Sequence, residues 1–147
     1  MTDSQKLALK ISGVLWVVWG LVHAFGGVMT IAQDAPGAVA GIADAIDPAL
    51  VAGPYHEAVD ALLNQHGFNL LWVGIATTIG AVFVWKGNMT SIWVTAMLGG
   101  LFDIGYFVFM DLGGYVNFFP GTVMTLVSGS AIVLSFWVFF QNRQSKT

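Results

Sequence analysis

Apolar residues run almost unbroken through four stretches of the chain, 9–32, 68–85, 92–110 and 121–140. The second, third and fourth contain no Lys, Arg or Glu, and the first is uncharged beyond Lys10. A bilayer hydrocarbon core about 30 Å thick is crossed by roughly 20 apolar residues in a helix, so each stretch has the length of a membrane span. The pattern predicts an all-α integral membrane protein, a four-helix antiparallel bundle forming one domain over 1–147. Lys6 and Lys10 resemble the basic start of a secretion signal, but the apolar run after them is longer than the roughly 7–15 residues such signals use. It is expected to stay as the first span.

The polar punctuation predicts how the spans are joined. Met89-Thr90-Ser91 offers hydroxyl caps at the start of span 3, and Gly113-Gly114 ends it, because glycine takes a left-handed cap at little cost. Pro120 suits the first turn of span 4. Short connections between spans 2 and 3 and between 3 and 4 make those neighbours antiparallel. Gly121, Thr125 and Gly129 recur every four residues and predict a packing seam on span 4. The segment 33–65 is too long for a plain connector. Its alanine-rich 38–46 stretch, the Asp47-Pro48 turn signal and Pro54 predict one or two short helices capping the outer face. A helix begun at Pro54 would run into span 2 or break at His66-Gly67.

Composition narrows the class. Hydrophobic residues make up 56% and charged residues 9%, against about a quarter charged in soluble domains. With no cysteine, disulfides, thiolate metal sites and thiol redox chemistry are excluded. No basic run is interleaved with aromatics, so no nucleic-acid partner is expected.

Charge placement predicts the orientation. Lys6 and Lys10 precede span 1, Lys86 lies between spans 2 and 3, and Arg143 and Lys146 follow span 4. The 33–65 loop holds only acidic charges: Asp34, Asp44, Asp47, Glu57 and Asp60. The positive-inside rule puts both termini in the cytoplasm. The expected location is the plasma membrane, the bacterial inner membrane in a prokaryote, with the lipid bilayer as the first partner.

Ionisable side chains within a membrane are costly and by default point to function. His23 in span 1 and Asp103 in span 3 fall at a similar depth in the outer half, roughly 20 and 18 Å along their helices at 1.5 Å per residue. His66 and Asp111 are expected nearer the outer surface, with His56, Glu57 and Asp60. Asp111 is expected in interfacial water. Trp16, Trp19, Gly20, His23 and Gly27 share one helical stripe; His66 and Asn69 share another, as do Asp103 and Tyr106. The ligand-binding candidates are therefore His23, Asp103, Tyr106, Asn69, His66 and Trp19. The metal-ligand candidates are His23, Asp103 and His66, with His56 and Asp60 as a second, weaker i, i+4 pair. The bland alternatives are a structural His23–Asp103 bond, a solvated His66 and a Trp stripe used only for packing.

A metal ion, a quinone or another small amphiphile fits this mixed set of imidazole, carboxylate, carboxamide and phenol. Haem is disfavoured because His23 and His66 are expected about 10 Å apart in depth. Retinal is disfavoured because no lysine lies within a span. In size and layout the chain resembles several bacterial four-helix membrane families, DoxX-like proteins among them; the resemblance is architectural and carries no residue or activity across. The expected function is a plasma-membrane protein binding such a ligand in its outer half. If chemistry occurs, His23 carries the proton and Asp103 orients it. The alternatives are a non-catalytic accessory or assembly subunit of a larger membrane complex, and a homo-oligomeric transporter or channel.

Overall fold

The computed structural model describes residues 1–144; Lys146 lies outside them. Every regular element among the described residues is helical. Helix α1 (Asp3–Ala32) is followed by α2 (Ala35–Ile42), a 3-10 turn (Pro48–Leu50) and α3 (Glu57–Trp85). The third span begins as α4 (Met89–Thr95), widens to a π turn at Ala96–Gly100, continues as α5 (Leu101–Tyr106) and widens again at Phe107–Asp111. A last π turn, Phe118–Thr122, leads into α6 (Val123–Gln144). Four helices are long and apolar enough to cross a membrane: Asp3–Ala32, Glu57–Trp85, Met89–Asp111 and Phe118–Arg143.

Spans 1 and 2 begin well before the predicted 9 and 68. Thr2 and Gln5 form a reciprocal capping box that starts α1 at Asp3, and the His56 side chain caps α3. Helix α3 runs through His66-Gly67 without a break. Span 3 is capped by Asn88, whose carboxamide accepts from the Ser91 N–H at 3.0 Å, and not by the hydroxyls of Thr90 or Ser91. Gly114 takes a positive φ of 72° beyond its end. Phe119 is extended (φ −116°, ψ 128°), as a residue before proline tends to be, so helical backbone resumes at Pro120.

The spans follow one another round the bundle, with span 1 also against span 4 and diagonal to span 3. The tightest approach is between α1 and α3. A methyl group placed on Gly20 would lie 2.6 Å from the Gly74 carbonyl oxygen, and one on Gly27 would lie 2.4 Å from that of Gly67. One turn-pair earlier, a methyl on Gly13 would lie 3.3 Å from the Ala81 oxygen. Each helix thus repeats a small residue every seventh position, and the two sets meet in antiparallel order. Seven residues are close to two helical turns, which keeps the small positions on one face. Helices in lipid gain little from hydrophobic burial against one another, so backbone-to-backbone packing of this kind is a main source of their association.

The predicted seam on span 4 is not used in this way. A methyl on Gly129 would meet nothing within 4 Å, Gly121 faces the Tyr106 hydroxyl, and Thr125 donates to Asp111 at 3.4 Å. The four-residue spacing marks one face of the helix, whose outer positions meet side chains of span 3 and not another backbone, and whose Gly129 meets no neighbour.

Charge separates along the bundle. Lys10 lies over the Trp85 ring at 5.7 Å, which puts the start of span 1 beside the end of span 2, the Lys86 turn and Arg143. Of the eight acidic residues, all but Asp3 belong to the opposite end, here called the loop end. There α2 lies across the helix ends with Ala35 and Ala38 buried. Asp34 caps α2 by accepting from the Gly37 N–H at 3.1 Å, and Asp47 opens the 3-10 turn by accepting from Ala49.

Candidate functional site

Trp16 and Trp19 are fully buried in the main core cluster, with Val73, Ala81, Ala96 and Ala131. Gly99 makes room for them: a methyl there would lie 2.4 Å from Trp16 Cζ3. Trp16 is therefore packing, whereas Trp19 and His23 turn this part of the core into a polar site. Trp19 Nε1 donates to Asp103 Oδ2 at 2.8 Å, a hydrogen bond that crosses the bundle diagonal from span 1 to span 3. The His23 ring stacks on the Trp19 indole, 3.6 Å between centroids and 19° between planes. His23 Nε2 lies 3.7 Å from Asp103 Oδ1, and the buried Ser128 of α6, whose hydroxyl donates to the Thr125 carbonyl oxygen at 3.0 Å, is a further polar neighbour of the carboxylate.

This geometry fixes the histidine tautomer. Nδ1 lies 2.8 Å from the Trp19 carbonyl oxygen, which only accepts, so Nδ1 carries a proton. In a neutral ring Nε2 is then a bare acceptor facing a carboxylate oxygen. At 3.7 Å the two are not hydrogen-bonded to one another. They form a pair of acceptors that shares a proton or meets a donor placed between them.

The pair sits at the inner end of a cavity of about 550 Å³ at the loop end. Its floor is His23, Asp103 and Phe102; His66 and Tyr106 stand on the walls, and Ala38, Gly41 and Ile42 of α2 form the roof. Val22, Phe25 and Met29 line it from span 1 and are also exposed on the flank of the bundle, Phe25 by 67%. The cavity therefore opens sideways, onto the apolar perimeter, as well as under α2.

The π turn that precedes α5 aims Asp103 inward. The π turns at Ala96–Gly100 and Phe107–Asp111 flank the short α5 that carries Asp103 and Tyr106. A π turn takes one residue more than an α turn and rotates all that follows about the axis. Asp103 is left only 3% exposed, whereas its neighbour Ile104 faces outward.

The other predicted residues are distributed unequally. His66, further out along the bundle than His23, lines the same cavity, and the centroids of both rings lie 6.3 Å from that of Phe102. Asn69 does not reach the cavity. Its carboxamide accepts from Trp72 Nε1 at 3.2 Å on an exposed part of α3. His56 uses Nδ1 to accept from the Ala58 N–H at 3.1 Å, and Asp60 pairs with Asn64. Among the described residues no three His, Asp or Glu side chains converge as metal ligands, so His23, Asp103 and His66 share a cavity without forming a chelating set, and His56 with Asp60 gains no third member. Asp111, expected in interfacial water, is partly buried and accepts from the hydroxyls of Thr122 and Thr125.

The short helix over the outer face was expected from the sequence, but its fastening was not. The Asn117 N–H donates to Asp44 Oδ1 at 2.7 Å, its Nδ2 donates to the Asp44 carbonyl oxygen at 2.9 Å, and Ala45 N–H donates to the Tyr115 oxygen at 3.1 Å. These bonds join the long loop to the connection between spans 3 and 4. Asp44 and Asn117 are 73 positions apart, and no local signal links them. No family model matches the chain, and neither a curated protein nor a solved structure is significantly similar to it.

Proposed function

We propose that this protein binds a small amphiphile in the cavity at its loop end, polar head towards His23 and Asp103, apolar body along Phe25, Met29 and Leu70. The observation that carries the reading is a laterally open, mainly apolar cavity of about 550 Å³ that ends on a buried imidazole–carboxylate pair. Ligand sites are commonly 300–1,000 Å³, apolar, with a few converging polar groups. The side opening suits a molecule that arrives dissolved in the bilayer. A resident metal is less well supported, since the pair supplies only two ligands. The positive-inside rule puts this end on the outer side of the plasma membrane, with both termini in the cytoplasm.

The test is native mass spectrometry of the protein in detergent, with solvent extraction and elemental analysis of the same preparation. A bound small molecule that disappears in Met124→Trp, a change that fills the cavity, upholds the reading. A stoichiometric metal, or an empty protein that no added single-chain amphiphile stabilises, overturns it. A second reading, an accessory subunit of a larger membrane complex, draws on Gly129, whose face meets no neighbour within 4 Å. Crosslinking in native membranes tests it.

A further inference from the structure

The cavity has a charge as well as a shape. Its buried carboxylate, Asp103, has Asp111 of span 3 as its acidic neighbour, and Asp44 of the loop lies near the Tyr106 wall. Asp34, Asp47, Glu57 and Asp60 belong to the same end. Among the described residues no lysine or arginine lines the cavity. Lys6, Lys10, Lys86 and Arg143 all lie at the opposite end of the bundle. A carboxylate enclosed in low dielectric with no cation beside it is strongly unfavourable unless a partner supplies one.

We infer that the ligand is a cationic amphiphile, a protonated amine on a single apolar chain, with its ammonium held by His23 Nε2 and Asp103 Oδ1. This rests on the amphiphile reading above and narrows it. An ammonium has three N–H donors and no acceptor, which matches two acceptors 3.7 Å apart. A quinone head offers carbonyl acceptors, and the pair has no donor for them, because Nδ1–H is spent on the Trp19 carbonyl. An anionic head would add a second negative charge beside Asp103. The aromatic lining, Phe102 in the floor and Tyr106 on the wall, suits a cation through the negative faces of the rings. An aminophospholipid also carries an ammonium, but its phosphate would have no basic partner here, so a free amine is the occupant.

Decylamine, decanol and decanoate share one chain and differ only in the head. Their binding to the protein in phosphatidylcholine nanodiscs, measured by calorimetry against empty discs, tests the charge directly. Decylamine is expected to bind roughly tenfold or more tighter than decanol, with decanoate weakest. Asp103→Asn should bring decylamine down to the decanol value while leaving decanol binding in place. If decanol or decanoate binds as tightly as decylamine, the cavity takes amphiphiles and the cationic assignment falls. If none binds above the empty-disc blank, the amphiphile reading falls with it. An amine preference that survives Asp103→Asn overturns the role of this carboxylate. Should that variant not fold, the wild-type series still decides the charge, and Met124→Trp, which changes no charge, must abolish decylamine binding. Replacing part of the phosphatidylcholine by phosphatidylethanolamine should leave the amine affinity unchanged; competition would identify the lipid head group as the occupant and overturn the single-chain amine.

Discussion

Trp19 and Asp103 stand on diagonally opposed spans, yet the indole N–H and the carboxylate meet at 2.8 Å inside the bundle. The bond orders both ends of the site: it holds one oxygen of Asp103 in place and fixes the indole plane on which His23 stacks. Replacing Trp19 by Phe keeps an aromatic ring but removes the donor and part of a fully buried side chain. Hydrogen bonds to charged groups contribute about 1.5–3 kcal/mol, and the cavity left in the core adds to that, so Trp19→Phe is expected to destabilise by at least that order. Asp103→Asn retains an acceptor and should lose less. Thermal unfolding of both variants in one detergent checks the ranking; equal losses would show that the bond does not organise the site.

The α1–α3 seam predicts a contrast between two glycines. A methyl on Gly74 would lie 2.4 Å from the Gly20 carbonyl oxygen, and one on Gly129 would meet nothing. Gly74→Ala must separate two backbones and is expected to cost about 1–3 kcal/mol. Gly129→Ala gains helix propensity, up to about 1 kcal/mol, and should be neutral or stabilising. Denaturant unfolding of the two proteins in mixed micelles separates these outcomes.

Asp111 predicts a graded loss. Thr122 and Thr125 each donate to one of its oxygens, so removing one hydroxyl leaves the other bond. Thr122→Val is expected to cost about 1–3 kcal/mol, with the Thr122→Val/Thr125→Val pair clearly worse. Asp111→Asn, which still accepts, should be milder than the double variant. The melting temperatures of the four proteins measure the order.

The roof predicts a local change without a global one. Asn117 supplies two hydrogen bonds to Asp44, and Asn117→Ala removes the side-chain one and the residue's preference for this turn. Deuterium uptake should rise across 35–46 while 3–32 and 57–85 keep their protection. Faster exchange throughout the bundle would mean that the loop contact supports the whole fold.

The sequence was legible where a rule acts locally. Four apolar runs marked four spans, Gly114 closed span 3 with a positive φ, and Asp47-Pro48 opened a turn. Boundaries failed where a cap reached beyond the apolar stretch, at Thr2 and at His56. Asn69 was misread for a different reason. It shares a helical stripe with His66, but Trp72 one turn further on captured its carboxamide. Periodicity gives the face of a helix, and a neighbouring donor decides where a side chain on that face goes.

Length and hydropathy, then, fixed the number of helices and their membrane-spanning class, because crossing an apolar layer demands a minimum run of apolar residues. The small residues spaced by seven in α1 and α3 were equally present in the chain, but spacing alone does not name a partner. Gly121, Thr125 and Gly129 had a comparable pattern and pack against no helix in that way. Tertiary structure alone decided that Trp19 would span the diagonal to Asp103, that a π turn would aim that carboxylate inward, and that Asp44 and Asn117 would fasten the roof over both. Each depends on the distance and rotation between helices, which the packing of all four sets together and no single stretch encodes.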